Sequence, residues 1–182
     1  TKKEIVCYPV VETIQKNHIC HTVIAPADVD DSIKEKVKEI AVQCVKAVNG
    51  IGIFGIELFL TSNGEILVNE MAPRPHNSGH YTIEACVTSQ FENHIRAVMN
   101  LPLGSTELVK PAAVMVNLLG KTNGLAEPKN YGKALSNPEL HVHLYGKEET
   151  RKGRKMGHIT LLGTSSDELV KTAKKIEESI IY

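Results

Sequence analysis

The sequence has no excess of either charge: lysine plus arginine and aspartate plus glutamate stand at 21 each. That excludes a general field able to gather nucleic acid or an acidic membrane, so any anion must be held by a local cluster. No C-x-x-C pair is present. The four cysteines, Cys7, Cys20, Cys44 and Cys86, are scattered among apolar neighbours. This argues against a zinc site and for buried, reduced thiols in a cytoplasmic protein. No apolar run approaches the roughly 20 residues that span a bilayer, and there is no signal peptide, internal repeat or low-complexity tract. An initiating methionine is also missing. Thr1-Lys2-Lys3 leads straight into the strand-like stretch Glu4 to Val11, so the chain is expected to begin inside a fold, as part of something longer. At 182 residues it can bury a core, in one domain or two small ones.

What is present reads as an α+β protein. Residues 4–15 and 18–24 are rich in β-branched side chains and flank Lys16-Asn17, which predicts a hairpin. A helix is expected from Ser32 to Val48, with Ile33, Val37, Ile40, Cys44 and Val48 on one face. Ser32 and Glu35 have capping-box spacing, and Asn49-Gly50 supplies a left-handed stop. Ile53 to Leu60 is an apolar strand interrupted by one charge, Glu57; Asn63-Gly64 turns it, and Glu65 to Glu70 returns. An amphipathic stretch from Tyr81 to Met99 should bury Ile83, Val87, Phe91, Ile95 and Val98. Leu101-Pro102-Leu103-Gly104 then marks a boundary, giving a first domain over 1–103 and a small β-rich domain over 104–182. The second holds strands at 112–119, 140–145 and 156–162, a Gly/Asn/Pro-rich connection over 120–138, and a closing helix over 166–180.

The segment from Val68 to His80 concentrates the chemistry: a carboxylate, a guanidinium, two imidazoles and two carboxamides, kept from regular helix by Pro73, Pro75 and Gly79. If Asn63-Gly64 is a two-residue loop, Ser62 faces Glu65, and counting inward sets Glu57 directly across from Glu70. Opposed residues have Cβ atoms roughly 4.5–5.5 Å apart. Two carboxylates so placed repel unless a cation lies between them, and oxygen-only ligands suit magnesium. Taken singly, Glu57 is an exposed edge charge and Glu70 a loop cap; the opposition favours the metal. A slip of one residue would abolish it. Arg74 offers a planar fork to a carboxylate, bicarbonate or phosphate, with His76, Asn77 and His80 close in sequence. A loop that merely satisfies its own backbone accounts for Asn77 and Ser78, and less well for Arg74 and His76.

A second cluster, Lys147 to His158, sets five basic side chains and two glycines between strands. It reads either as a solvated hairpin tip or as a phosphate-binding turn. The alternation His141/His143 marks the wet face of a strand rather than a metal pair.

These clusters, together with Tyr8-Pro9-Val10-Val11-Glu12, His21 to Ala27, Asn77-Ser78-Gly79-His80 and Gly153 to His158, resemble the ATP-grasp enzymes of purine biosynthesis. The likeness is greatest to the carboxyaminoimidazole ribonucleotide synthetase family and covers essentially the whole chain. It implies the C-terminal portion of an ATP-grasp domain, an antiparallel sheet with helices, followed by the family's small C-terminal domain. In fungi this unit is fused to a downstream mutase-type carboxylase domain, and an excised piece of such a protein would fit.

The resemblance also implies an activity. ATP phosphorylates bicarbonate to carboxyphosphate, which carboxylates the exocyclic amine of aminoimidazole ribonucleotide. ATP and magnesium are the implied cofactors and a homodimer the implied state. Glu57 and Glu70 would hold magnesium, with Asn69 and Glu70 on the nucleotide. Arg74, His76 and Asn77 would form the catalytic centre, and Lys147, Arg154 and Lys155 would bind the ribonucleotide phosphate. Two departures stand out. Ala72 occupies the position where many ATP-grasp enzymes carry a third, asparagine ligand, and the N-terminal domain and glycine-rich lid over ATP are missing. The 182 residues alone are therefore expected not to turn over. Two alternatives stay open: a formate-dependent glycinamide ribonucleotide transformylase-like ligase, and a non-catalytic dimerisation or regulatory module.

Overall fold

The computed structural model describes Thr1 and residues 4–180. In chain order its elements are β1 (Glu12–Lys16), β2 (Ile19–Ala25), α1 (Asp31–Ala47), β3 (Gly55–Leu60), β4 (Ile66–Ala72), α2 (Thr82–Ala85), α3 (Gln90–Val98), β5 (Ala112–Leu119), β6 (Gly124–Leu125), α4 (Tyr131–Ala134), β7 (Leu140–Leu144), β8 (Glu149–Thr150), β9 (Lys155–Gly163) and α5 (Ser166–Ser179). A single 3₁₀ turn, Asn77–Gly79, lies between β4 and α2. The α+β expectation holds, and no helix among the described residues is long and apolar enough to cross a membrane.

The described residues form two compact units, 1–10 with 27–109, and 11–26 with 110–182. The first hairpin falls in the second of these units. Its strand β2 pairs antiparallel with β5, Thr22 opposite Val116 and Ala25 opposite Ala113, inside a five-stranded sheet of order β1-β2-β5-β9-β7. The pairing joins residues some ninety positions apart, and no local pattern encodes it. The hairpin turn falls on Asn17 and His18, both left-handed at φ 52° and 61°, as a type I′ turn requires. That is one residue later than Lys16-Asn17, and residues 4–11 lie outside any strand.

In the second unit one face of the sheet packs on α5. Val116, Ile159 and Val142 form one cross-strand row and Val114, Leu161 and Leu140 the next, covered by Leu169, Ala173 and Ile180. Ser165 caps α5, its hydroxyl accepting from the Glu168 amide, with Asp167 and Glu168 in the positive first turn.

The first unit holds the β3–β4 ribbon and helices α1 to α3. Helix α1 ends as expected: Asn49 is left-handed at φ 49°, its N–H bonds Lys46 O, and that of Gly50 bonds Val45 O. Its start differs. The N-cap is Asp30, no side chain caps it, and Glu35 pairs with Lys38 at 2.9 Å instead of closing a capping box with Ser32. Cys20 and Cys86 are buried, whereas Cys7 and Cys44 are half-buried; all four are free.

The stretch expected as one helix over 81–99 is broken. Cys86 bridges to Leu108, Val87 N–H bonds Glu107 O, Thr88 N–H bonds Ser105 O, and Ser89 caps a fresh helix, α3. The break rotates the helix face. Gln90, Asn93 and Ala97 are buried, while Val87, Phe91, Ile95 and Val98 are exposed, the reverse of the periodicity reading. Directional bonds explain the reversal. Asn93 accepts from Gly104 N–H at 2.8 Å and donates to Gly104 O and to the Tyr8 hydroxyl, so its burial leaves no polar atom wanting.

Candidate active site

Glu57 stands opposite Glu70, by a route the sequence did not reveal. The connection is a three-residue loop: Thr61 N–H bonds Glu65 O, Gly64 N–H bonds Thr61 O, and only Gly64 is left-handed, at φ 80°. Near the turn the register is therefore one residue off the two-residue count, with Leu60 opposite Ile66 and Leu58 opposite Val68. A β-bulge then inserts Asn69, and the ladder resumes with Glu57 opposite Glu70 and Gly55 opposite Ala72. Turn and bulge cancel. The bulge also turns Asn69 toward its neighbour, Nδ2 reaching Glu57 Oε2 at 3.5 Å.

His76 completes the group. Its Nε2 lies 3.9 Å from Glu57 Oε1 and 3.8 Å from Glu70 Oε1, and one donor atom from each of the three falls within 4.8 Å of the others. The ring's other nitrogen, Nδ1, is 2.8 Å from Ser78 Oγ, which aims Nε2 at the carboxylates. Gly55 makes room: a Cβ there would sit 2.5 Å from His76 Cβ. Glu57 is half-buried and Glu70 exposed, so an incoming cation meets one fixed and one adaptable carboxylate. Two carboxylates on one face fit magnesium, with His76 as an adjoining nitrogen.

A residue that sequence reading missed holds this loop. Gln90, 3% exposed, accepts from His76 N–H at 2.9 Å and donates to His76 O at 2.8 Å. Its Nε2 also meets His80 Nδ1 at 2.9 Å, and His80 stacks on Phe91 with centroids 5.6 Å apart. No local signal marks Gln90, since a glutamine in a first helical turn is ordinarily a surface residue. Of the other expected site residues, Asn77 opens the 3₁₀ turn. Arg74 is exposed and folds back on Pro75 O at 3.1 Å.

The basic cluster lies in the second unit. Arg151 to Arg154 form a turn closed by Arg154 N–H to Arg151 O, with Gly153 at φ 80° in the third position, as a type II turn demands. Lys147 Nζ donates to Lys155 O at 2.5 Å and Arg154 Nη1 to Glu149 O at 2.6 Å. Among the described residues no carboxylate pairs with Lys147, Arg151 or Arg154. The Lys147 ammonium is pushed below its ordinary pKa, first by burial and then by Arg154, Arg151 and Lys155 around it. Cations held by carbonyls and crowding one another are poised for a multivalent anion. His141 is exposed, as a wet strand face predicts, but His143 is half-buried and stacks on His158.

A β-hairpin carrying opposed carboxylates, followed by a donor-rich loop, offers the kind of ligands that a divalent cation takes. The model of the ATP-grasp domain matches residues 1–91, and that of the phosphoribosylaminoimidazole carboxylase C-terminal domain matches residues 113–172. The chain belongs to the ATP-grasp family. It is 51% identical over 178 residues to a phosphoribosylaminoimidazole carboxylase of Ogataea methanolica, covering 96% of this chain and 33% of that one. It is 48% identical over 171 residues to the N5-carboxyaminoimidazole ribonucleotide synthase of Bacillus subtilis, covering 92% and 43%. The N5-carboxyaminoimidazole ribonucleotide synthetase of Thermotoga maritima superposes with a TM-score of 0.91 at 54% identity, over 99% of this chain and 49% of that one. An Aspergillus clavatus N5-carboxyaminoimidazole synthase, solved with ADP and 5-aminoimidazole ribonucleotide, gives 0.89 at 40% identity, over 98% and 48%. The chain thus spans between a third and a half of the proteins it matches.

Proposed function

We propose that these 182 residues supply the metal-binding end of the ATP site and the ribonucleotide-phosphate site of an enzyme that carboxylates aminoimidazole ribonucleotide with ATP and bicarbonate, through carboxyphosphate. The observation that carries this reading is Glu57 opposite Glu70 with His76 between them, on a loop that also bears Arg74 and Asn77. When bound, magnesium would neutralise charge on the nucleotide phosphates. Glu57 and Glu70 would hold it and Asn69 would orient Glu57. Arg74, in moving off Pro75 O, would fork onto bicarbonate or carboxyphosphate, with His76 and Asn77 lining that centre. In the second unit Lys147, Arg154 and Lys155 would take the ribonucleotide phosphate.

The relatives' names support this substrate set, and the division at 103/104 remains our proposal for the boundary of the ATP-grasp portion. The reading includes a cytoplasmic location and a homodimer; the exposed apolar stripe of α3 supports the homodimer, and sedimentation of a full-length chain carrying this sequence tests it. The principal test is phosphate release by that chain, dependent on ATP, bicarbonate and aminoimidazole ribonucleotide, against Glu70→Ala and Arg74→Ala. Loss of turnover in both variants supports the reading. Unchanged turnover, or formate replacing bicarbonate, defeats it.

A further inference from the structure

We propose that Tyr145 and His158 are positioning residues for the Lys147 ammonium and thereby set affinity for the ribonucleotide phosphate. The inference rests on the reading that Lys147 binds that phosphate. His158 lies on β9 opposite His143 of β7, and the two imidazoles stack with centroids 4.4 Å apart and planes 12° from parallel. At 1% exposure His158 is a polar ring fixed in the interior of the unit. Its Nδ1 meets the Tyr145 hydroxyl at 2.9 Å. Tyr145 is held at its other end too, its N–H bonding Met156 O at 2.9 Å. With its backbone and its hydroxyl both held, the phenol has one place to lie, so the buried imidazole sets where the ring stands beneath Lys147.

Lys147 uses that face. Its Nζ stands 5.5 Å from the centroid of the Tyr145 ring and takes Lys155 O as a hydrogen-bond acceptor. Arg154, Arg151 and Lys155 repel the ammonium. The negative ring face and the carbonyl oppose that push and keep the charge where an anion can use it. Without the ring, Lys147 would gain rotamers that phosphate binding must then freeze, and affinity would fall. Gly146, left-handed at φ 64°, makes the turn that returns Lys147 over the residue two before it.

The test is steady-state kinetics on a full-length chain carrying this sequence. Tyr145→Leu, which removes the ring, should raise KM for aminoimidazole ribonucleotide about fivefold, the worth of one cation–π contact. Tyr145→Phe, which removes only the hydroxyl anchor, should raise it less. In both, kcat and KM for ATP should hold. In a Lys147→Ala background neither substitution should add to the loss, because the group being positioned is gone. Additive effects, or parallel changes in kcat and KM for ATP, would mean a structural role and overturn the inference. Lys147→Ala without effect on KM for the ribonucleotide would instead overturn the phosphate reading, and the inference with it.

Discussion

Replacing Gln90 with methionine keeps most of the side chain's bulk and removes its amide. The amide accepts from His76 N–H and donates to His76 O, at 2.9 and 2.8 Å, and also meets His80 Nδ1 at 2.9 Å. Methionine leaves the two backbone groups of His76 without these partners. A buried group deprived of its partner costs about 1–3 kcal/mol. His76 is only half-buried, so water recovers part of the loss, and the lower end applies to each group. The sum is about 2–3 kcal/mol, or roughly a 30- to 150-fold loss of protection for the His76 amide in native-state hydrogen exchange. Freed from its clamp, His76 would leave the Glu57–Glu70 pair, and affinity for a magnesium nucleotide should fall about tenfold, as when a group that orients a metal ligand is lost. Gln90→Glu should fare no better, because its carboxylate can accept from His76 N–H but has no proton to give His76 O. Protection within about threefold of wild type, with unchanged nucleotide affinity, would refute the clamp.

The other predictions follow from the same contacts. Gly55→Ala places a Cβ 2.5 Å from His76 Cβ, so phosphate release should collapse. Gly64→Ala meets nothing within 4 Å and suffers only its φ of 80°, costing about 1 kcal/mol in urea denaturation with turnover unchanged. Burial pushes the Cys86 thiol from 9.0 up to about 12 and the Tyr8 phenol from 10.0 up to about 12. Both pKa values are raised, so their contribution is complete below pH 9 and is lost as pH rises toward 12. Urea midpoints should fall over that window, and Cys86→Ala should flatten the fall. Glu177 is held below its ordinary 4.5, first by the His21 ring, whose Nε2 lies 3.4 Å from Glu177 Oε1. A lowered carboxylate stabilises above its unfolded pKa and loses that contribution as pH falls, so Glu177→Gln should shrink the acid-side decline of the midpoint below pH 4.5.

The bounds of β5 and α5, the left-handed stop at Asn49 and the concentration of chemistry between Val68 and His80 were legible in the sequence, because propensity, capping and turn chemistry are local. So was the family resemblance, carried by short motifs. The carboxylate pair was legible in its outcome but not its cause. Counting from a two-residue turn gave the right partners only because the bulge at Asn69 offsets a loop one residue longer. The face of α3 was misread for a related reason. Periodicity assigns burial to apolar side chains, whereas Asn93 and Gln90 are held inside by hydrogen bonds to segments remote in sequence. Tertiary structure alone decided three things: that residues 11–26 join the C-terminal sheet, that Gln90 grips the His76 backbone, and that His158 anchors the Tyr145 hydroxyl. Each depends on bonds between residues ten to ninety positions apart. Such bonds are directional and short, and they form only after the chain has brought their partners together.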